Sequence, residues 1–268
     1  MRSCKYVNIH MKNEFEMINE NGNNLCITDK YGKLYQILIW LIFVFMVLTF
    51  LLQIFRLRLR KYTADEIYSQ ACEYVIEIKS IQGDHIVYGS GVIYNKEGYV
   101  ITNYHVVSYT REGVTSVMEK IESRFSKNQN YNEMRLVGFD EENDIAILKF
   151  KEEQSYNYAK ISKENRLTSG TKIFAVGNTS NFGLSISEGI VGVPLVNVEY
   201  ADKMRSVIQC DLSIAEGNSG GALLDDGGNL VGITTFRIKD KNGNIVYGIA
   251  YCVPIDIVDE VASNFVGR

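Results

Sequence analysis

Ser219 stands in the run Glu216-Gly217-Asn218-Ser219-Gly220-Gly221, between an apolar stretch ending near Asp211 and another beginning at Ala222. A serine flanked by glycines on a tight turn can expose its hydroxyl while two backbone N–H groups, its own and that of Gly217, aim at one point. Such a point can hold the oxyanion that forms when a carbonyl is attacked. By itself the string also fits an ordinary glycine-rich turn, and a serine hydroxyl is a weak nucleophile without a base. The chain has 3 histidines. His105 ends the apolar stretch Gly98-Tyr99-Val100-Ile101-Thr102-Asn103-Tyr104, and neutral imidazole is the side chain best matched to taking a serine proton near pH 7. His10 lies beyond a long apolar run and His85 in a polar turn, so both read as solvated. Asp144 opens the apolar run Ile145-Ala146-Ile147-Leu148 after the acidic cluster Asp140-Glu141-Glu142. A carboxylate at such a strand boundary can orient the histidine and stabilise the imidazolium, although an Asp there can also simply close a turn. Together, in the order His, Asp, Ser, the three describe acyl transfer: Ser219 attacks, His105 moves the proton, Asp144 holds the imidazole, and the Gly217 and Ser219 amides bind the oxyanion.

The elements that must carry these groups are short. Beyond residue 72 the recurring unit is a β-branched run closed by turn residues: Tyr74 to Ile78, Gly91 to Tyr94, Tyr99 to Thr102, Arg135 to Phe139 and Ile145 to Phe150. A second series covers Lys172 to Val176, Ser185 to Val193, Ser206 to Asp211, Gly221 to Leu224, Leu230 to Phe236 and Val246 to Val253. Strands this short and this numerous predict barrels or a sandwich. The stretch Asn165 to Gly170 reads as the joint between the two series. The charged segment between Val107 and Arg135 breaks the pattern and is expected to be a partly helical surface insertion. Ile257, Val258, Val261 and Phe265 fall at helical spacing and predict a short C-terminal helix. Thr63 to Tyr74 also has helical character.

Ile37 to Phe55 is apolar all round, with Thr49 and Gln53 its only polar side chains, and a helix of that length spans roughly 30 Å of hydrocarbon. A core helix would keep a polar stripe. The run begins late and ends in Arg56, Arg58, Arg60 and Lys61 instead of a small-residue cleavage site, so it reads as an uncleaved single-pass anchor. Residues 1–36 form a polar tail, 37–55 the anchor, 56–71 a charged connector, and 72–268 the folded domain. The net charge of −4 leaves no basic footprint for nucleic acid. The 5 cysteines are odd in number and lack paired spacing, so neither a disulfide framework nor a metal site is expected.

These strings as a set resemble the chymotrypsin-fold serine proteases and, more closely, the bacterial HtrA (DegP-like) branch. The resemblance is carried by Gly89-Ser90-Gly91-Val92-Ile93, Val100-Ile101-Thr102-Asn103-Tyr104-His105-Val106-Val107, Asn143-Asp144-Ile145-Ala146-Ile147-Leu148, Ala175-Val176-Gly177-Asn178, Phe182-Gly183-Leu184, Glu188-Gly189-Ile190-Val191 and Gly217-Asn218-Ser219-Gly220-Gly221-Ala222-Leu223, over residues 72 to 258. It implies an all-β domain of two six-stranded antiparallel barrels, about 72–160 and 168–256, with His105 and Asp144 from the first and Ser219 from the second. It implies a serine endopeptidase acting on misfolded or unfolded proteins, with no cofactor. Thr235 takes the place of a small hydroxyl residue that bonds the triad acid. The substrate pocket falls to Ser213 and Ile214, then Thr235, Phe236 and Arg237, then Gly248 and Ala250. None of these is acidic, which predicts cleavage after small or medium aliphatic residues.

The resemblance also suggests a homotrimer, for which Tyr68 and Tyr74 are the aromatic candidates, and a PDZ domain, which is not expected here because the chain stops shortly after Asp256. The positive-inside tendency and the resemblance disagree on topology. Arg56, Arg58, Arg60 and Lys61 outnumber Lys30 and Lys33 near the anchor, while the tail adds Arg2, Lys5 and Lys12. The expectation favours an extracytoplasmic catalytic domain. A catalytically silent, membrane-tethered peptide-binding module is the alternative. An α/β-hydrolase esterase is excluded because its histidine comes last and a helix follows its serine.

Overall fold

The computed structural model describes residues 16–18, 24–26, 30–58, 61–126, 130–162, 167–200, 203–239 and 245–266. His10, Arg2, Lys5, Lys12, Arg60 and part of the Asn165–Gly170 joint lie outside them. The chain divides into two compact units between Arg60 and Lys61.

The first unit holds a two-stranded pairing of β1 (Glu16–Ile18) with β2 (Asn24–Cys26), then the long helix α1 (Lys30–Arg58). Within it Leu34–Phe55, 22 residues, is long and apolar enough to cross a membrane. None of its side chains is buried. Thr49 returns its hydroxyl to the Met46 carbonyl at 2.8 Å, which satisfies it inside the helix.

The second unit begins with α2 (Ala64–Ala71). Its start is fixed by the Glu66 carboxylate, which accepts from the Thr63 backbone N–H at 3.0 Å. Within the stretch read as a connector, α2 buries Ile67 and Ala71 in the domain core. There follow β3 (Val75–Gln82), β4 (His85–Ile93), β5 (Tyr99–Thr102), α3 (Tyr104–Val107), β6 (Ser108–Arg111), β7 (Val114–Val117), β8 (Lys120–Phe125), β9 (Asn132–Asp140) and β10 (Ile145–Phe150). Six of these strands close into barrel one in the order β10-β5-β4-β3-β8-β9. Barrel two closes in the order β11-β12-β13-β16-β15-β14, from β11 (Lys172–Asn178), β12 (Leu184–Tyr200), β13 (Lys203–Asp211), β14 (Ala222–Asp225), β15 (Leu230–Lys239) and β16 (Ile245–Pro254). The helix α4 (Ile255–Ser263) ends the domain and buries Ile255, Val258, Val261 and Ala262. The fold is therefore mostly β, two closed antiparallel six-stranded barrels with an N-terminal apolar helix and a short C-terminal helix.

The segment between Val107 and Arg135 is not a helical insertion. It makes the β6–β7 hairpin and then β8, a stave of barrel one between β3 and β9. Its charges hid the strand because they alternate: Ile121 and Ser123 are buried, while Glu122 and Arg124 stand opposite Lys79 and Glu77 in the β3 register. Arg124 meets the buried Glu77 at 2.8 Å and Lys79 meets Glu122 at 3.7 Å. Cross-strand opposite charges stabilise such a ladder where a propensity reading sees only polarity.

One apolar cluster fills barrel one and continues through Phe174, Val176, Ala222, Leu224 and Ile233 into the wall of barrel two. A second, around Ile173, Val191, Ile208 and Leu223, fills barrel two. The barrels therefore share core and are held as one body, which is what lets one site draw side chains from both. Tyr74 is buried and the Tyr68 hydroxyl donates to the Leu184 carbonyl at 2.8 Å, so both aromatics assigned to contacts between copies are engaged inside the domain, Tyr74 wholly.

Candidate active site

β5 pairs with β4 and β10 in the wall of barrel one and delivers α3, so His105 sits on the first turn past a buried strand while its side chain is about half exposed. The turn before β10 places Asp144 opposite it. Asp144 takes φ of +58°, a left-handed backbone that Asp tolerates better than most residues, and its side chain is buried. That turn is held by Asn103, whose Nδ2 donates to the Asp144 carbonyl at 2.9 Å, and by the Tyr104 N–H on the same oxygen at 3.2 Å. The Asp144 carboxylate accepts on both oxygens. Oδ1 takes the His105 backbone N–H at 3.0 Å, and Oδ2 lies 2.8 Å from His105 Nδ1 and takes the Thr235 hydroxyl at 2.8 Å. Burial pushes this carboxyl up, but the charge and hydrogen bonds of His105, together with the Thr235 hydroxyl, more than offset it and hold the group below the ordinary aspartate value.

Ser219 comes from barrel two, in the turn before β14. Gly217 has φ of +90°, and a Cβ there would lie 2.1 Å from the Asn178 carbonyl; Gly220 has φ of +84°, and a Cβ would lie 2.1 Å from the Ser90 carbonyl. Only glycine permits this turn. Ser90 of barrel one braces it from beneath. Its N–H donates to the Ser219 carbonyl at 2.8 Å, its hydroxyl donates to the Gly217 carbonyl at 2.7 Å, and the Asn178 N–H donates to that hydroxyl at 2.8 Å. Thr234 donates its hydroxyl to the Asn218 carbonyl, and the Gly220 N–H is taken by the Thr234 carbonyl at 2.8 Å. Among the described residues, the N–H groups of Gly217 and Ser219 have no acceptor within the protein. Two fixed donors beside a serine are the arrangement an oxyanion needs.

The Ser219 hydroxyl donates to the Thr235 carbonyl at 2.8 Å and makes no hydrogen bond to His105. The structure thus joins His105, Asp144 and Thr235 directly, and brings Ser219 to the same residue, Thr235, through the backbone.

The seven proposed pocket residues are treated unequally. Ile214 and Ala250 are buried in the barrel-two core cluster, Ser213 and Gly248 are exposed, and Arg237 is half-buried opposite Ala250 in the β15–β16 register. The Phe236 ring is buried; it stacks on Tyr200 at 3.9 Å between ring centroids and packs on Tyr251. The β15–β16 register shifts between Thr234 and Phe236, and at this irregularity Thr235 reaches Asp144 while Phe236 reaches Tyr200. Three contributors escaped the sequence reading. Ser90 and Asn178 brace the Ser219 turn, and Asp211 has its Oδ1 3.7 Å from where a Cβ on Gly248 would stand. Their signal in the sequence is weak, because each acts through contacts between elements far apart in the chain. Among the described residues no group of His, Cys, Asp and Glu is placed to hold a metal ion. Cys210 and Cys252 are buried free thiols of the second barrel, and Cys72 is a half-buried one.

Fold and site define a two-barrel domain in which a glycine-rich serine turn and a His–Asp pair meet at Thr235. The profile of the trypsin-like peptidase domain matches residues 89–233, more than half of the chain. The chain is 36% identical over 174 residues to the serine endoprotease DegS of Haemophilus influenzae, a match covering 65% of this chain and 48% of that protein. It is 31% identical over 179 residues to the periplasmic pH-dependent serine endoprotease DegQ of Escherichia coli, covering 66% of this chain and 37% of that one. A solved structure of the HtrA-type protease AlgW with a tripeptide superposes with a TM-score of 0.65 at 28% identity, over 76% of this chain and 63% of that one. This chain therefore belongs to the trypsin-like peptidase family, and over the matched stretch it is similar to HtrA-type serine proteases. It spans about half or less of the length of these curated relatives.

Proposed function

We propose that the chain is a membrane-anchored serine endopeptidase that hydrolyses peptide bonds of misfolded or unfolded proteins through Ser219, His105 and Asp144. The observation that carries this reading is the convergence at one place of a buried carboxylate on His105 Nδ1 and two unoccupied N–H donors around Ser219. The ring nitrogen left free, Nε2, is the one that can act as base. In the resting geometry the serine hydroxyl lies on the Thr235 carbonyl, and rotation about its Cα–Cβ bond is the step that turns it to His105. His105 then takes the hydroxyl proton as Oγ attacks the peptide carbonyl. The Gly217 and Ser219 amides hold the oxyanion, and the imidazolium gives its proton to the leaving amine. Water attacks the resulting acyl-enzyme by the same route in reverse. Asp144 stays ionised throughout, which its depressed protonation and three donors favour. The helix Leu34–Phe55 serves as the anchor in this reading, with the catalytic domain on the extracytoplasmic side.

Reaction with a fluorophosphonate probe tests the proposal on the full chain in detergent. The wild type should label at Ser219, and Ser219→Ala and His105→Ala should each lose peptide hydrolysis by several orders of magnitude while keeping the wild-type melting transition. A folded wild type that neither labels nor hydrolyses an unfolded protein would favour a silent peptide-binding module instead.

A further inference from the structure

Arg205 lies on β13 and is buried, an unusual place for a guanidinium. Its Nη1 is 3.6 Å from Asp144 Oδ2, its Nη2 donates to the Glu141 carbonyl at 3.4 Å, and its buried Nε has no hydrogen-bond partner. The side chain thus crosses from barrel two to the acid turn of barrel one. Its own strand holds it there by other means. The end of the β12–β13 hairpin is tied by Lys203 to Glu141 at 2.8 Å and by the stack of Tyr200 on Phe236, and the Arg205 guanidinium lies 5.8 Å from the Tyr200 ring centre. Phe236 is the chain neighbour of Thr235, so one aromatic contact links the hairpin to the strand that bonds Asp144.

We propose that Arg205 is a positioning residue of the site, which latches the β12–β13 hairpin to the Asp144 turn and tunes with its charge the proton affinity of the Asp144–His105 pair. The proposal rests on the peptidase reading above. Asp144 is faced by His105 from α3, Thr235 from β15 and Arg205 from β13, with Glu141 and Lys203 paired at the rim. Among the described residues, Arg205 is the one fixed cation of the groups on the carboxylate. It draws off part of the negative field that would otherwise steady an imidazolium. A hairpin lifted away would leave Asp144 with His105 and Thr235 alone, and the pair would take up its proton at higher pH. The latch therefore makes hairpin position readable as basicity at the site.

The test is the pH dependence of fluorophosphonate labelling of Ser219 in the full chain, with Arg205→Met, Arg205→Lys and Lys203→Met. Arg205→Met should move the acidic limb of the labelling rate upward by about half a pH unit or more, Arg205→Lys should restore most of that shift, and Lys203→Met, which removes one tie of the hairpin but leaves the guanidinium, should move the limb less than Arg205→Met does. Should Arg205→Met fail to melt cooperatively, Arg205→Gln against Arg205→Lys carries the same comparison. A limb unmoved by loss of the charge, or moved equally by Lys203→Met, overturns the proposal and leaves the peptidase reading intact. A wild type that does not label overturns both.

Discussion

Asp144 carries more contacts than either of its proposed partners. Its carboxylate is taken by a backbone N–H, an imidazole and a hydroxyl, and a guanidinium stands near. A group whose folded protonation is depressed adds stability above its ordinary unfolded value and loses it as pH falls through the lowered folded value. The wild type should therefore lose stability relative to Asp144→Asn as pH drops through and below about 4, the ordinary aspartate range. Urea unfolding of both chains across that range checks this, and a gap that stays constant or widens toward acid would contradict the assignment. At the same scale, Ile214 in the barrel-two core and the absence of an acid among the seven pocket residues argue for Val, Ala, Ile or Thr before the scissile bond. The Asp211 carboxylate stands beside Gly248 at one edge. A buried unpaired cation would cost several kcal/mol, whereas one methylene more or less changes preference by about 1 to 3 kcal/mol. A peptide library cleaved mainly after Arg or Lys would mean that Asp211, and not Ile214, sets the pocket.

Among the elements, β8 is the clearest case of structure that charge conceals. Glu77 is buried on β3 and depends on Arg124 of β8, whose Nε and Nη2 both donate to it at 3.1 and 2.8 Å. Removing one partner of a buried pair strands the other. Arg124→Met should lower stability by on the order of 3 kcal/mol in urea titration, and adding Glu77→Leu should recover much of that loss. A single substitution without effect would show that solvent reaches Glu77. The β12–β13 hairpin makes the complementary point. Its apolar inner segment was readable as two strands, but its reach past Val193 to Tyr200 was not, because Glu199, Lys203 and Arg205 look like solvent-facing turn residues until the Asp144 turn is in place.

For the whole molecule, function turns on which side of the membrane the catalytic domain occupies. α1 contains 22 consecutive residues long and apolar enough to cross a membrane, which suits an anchor. The basic residues that follow it favour a cytoplasmic domain by charge alone, while its relatives include a periplasmic endoprotease. An extracytoplasmic catalytic domain should be cut by protease added to intact cells. Resistance that disappears on lysis would place it inside.

Much of this protein was legible in its sequence because certain residues are demanded by backbone geometry or by local pattern. Gly217 and Gly220 mark a turn no other residue can take, short β-branched runs closed by turn residues marked most strands of both barrels, and an apolar run without a polar stripe marked α1. The spacing of Ile257, Val258 and Val261 likewise gave α4. What the sequence could not supply is anything that depends on two distant segments meeting. The pairing of Glu77 with Arg124 turned a charged stretch into β8, the bracing of Gly217 by Ser90 joined the barrels beneath Ser219, and the Phe236 ring found its partner in Tyr200. The seating of Arg205 on Asp144 belongs to the same group. A charged or polar side chain is priced by its partner, and the partner is chosen by the closed barrels, not by its neighbours in the chain.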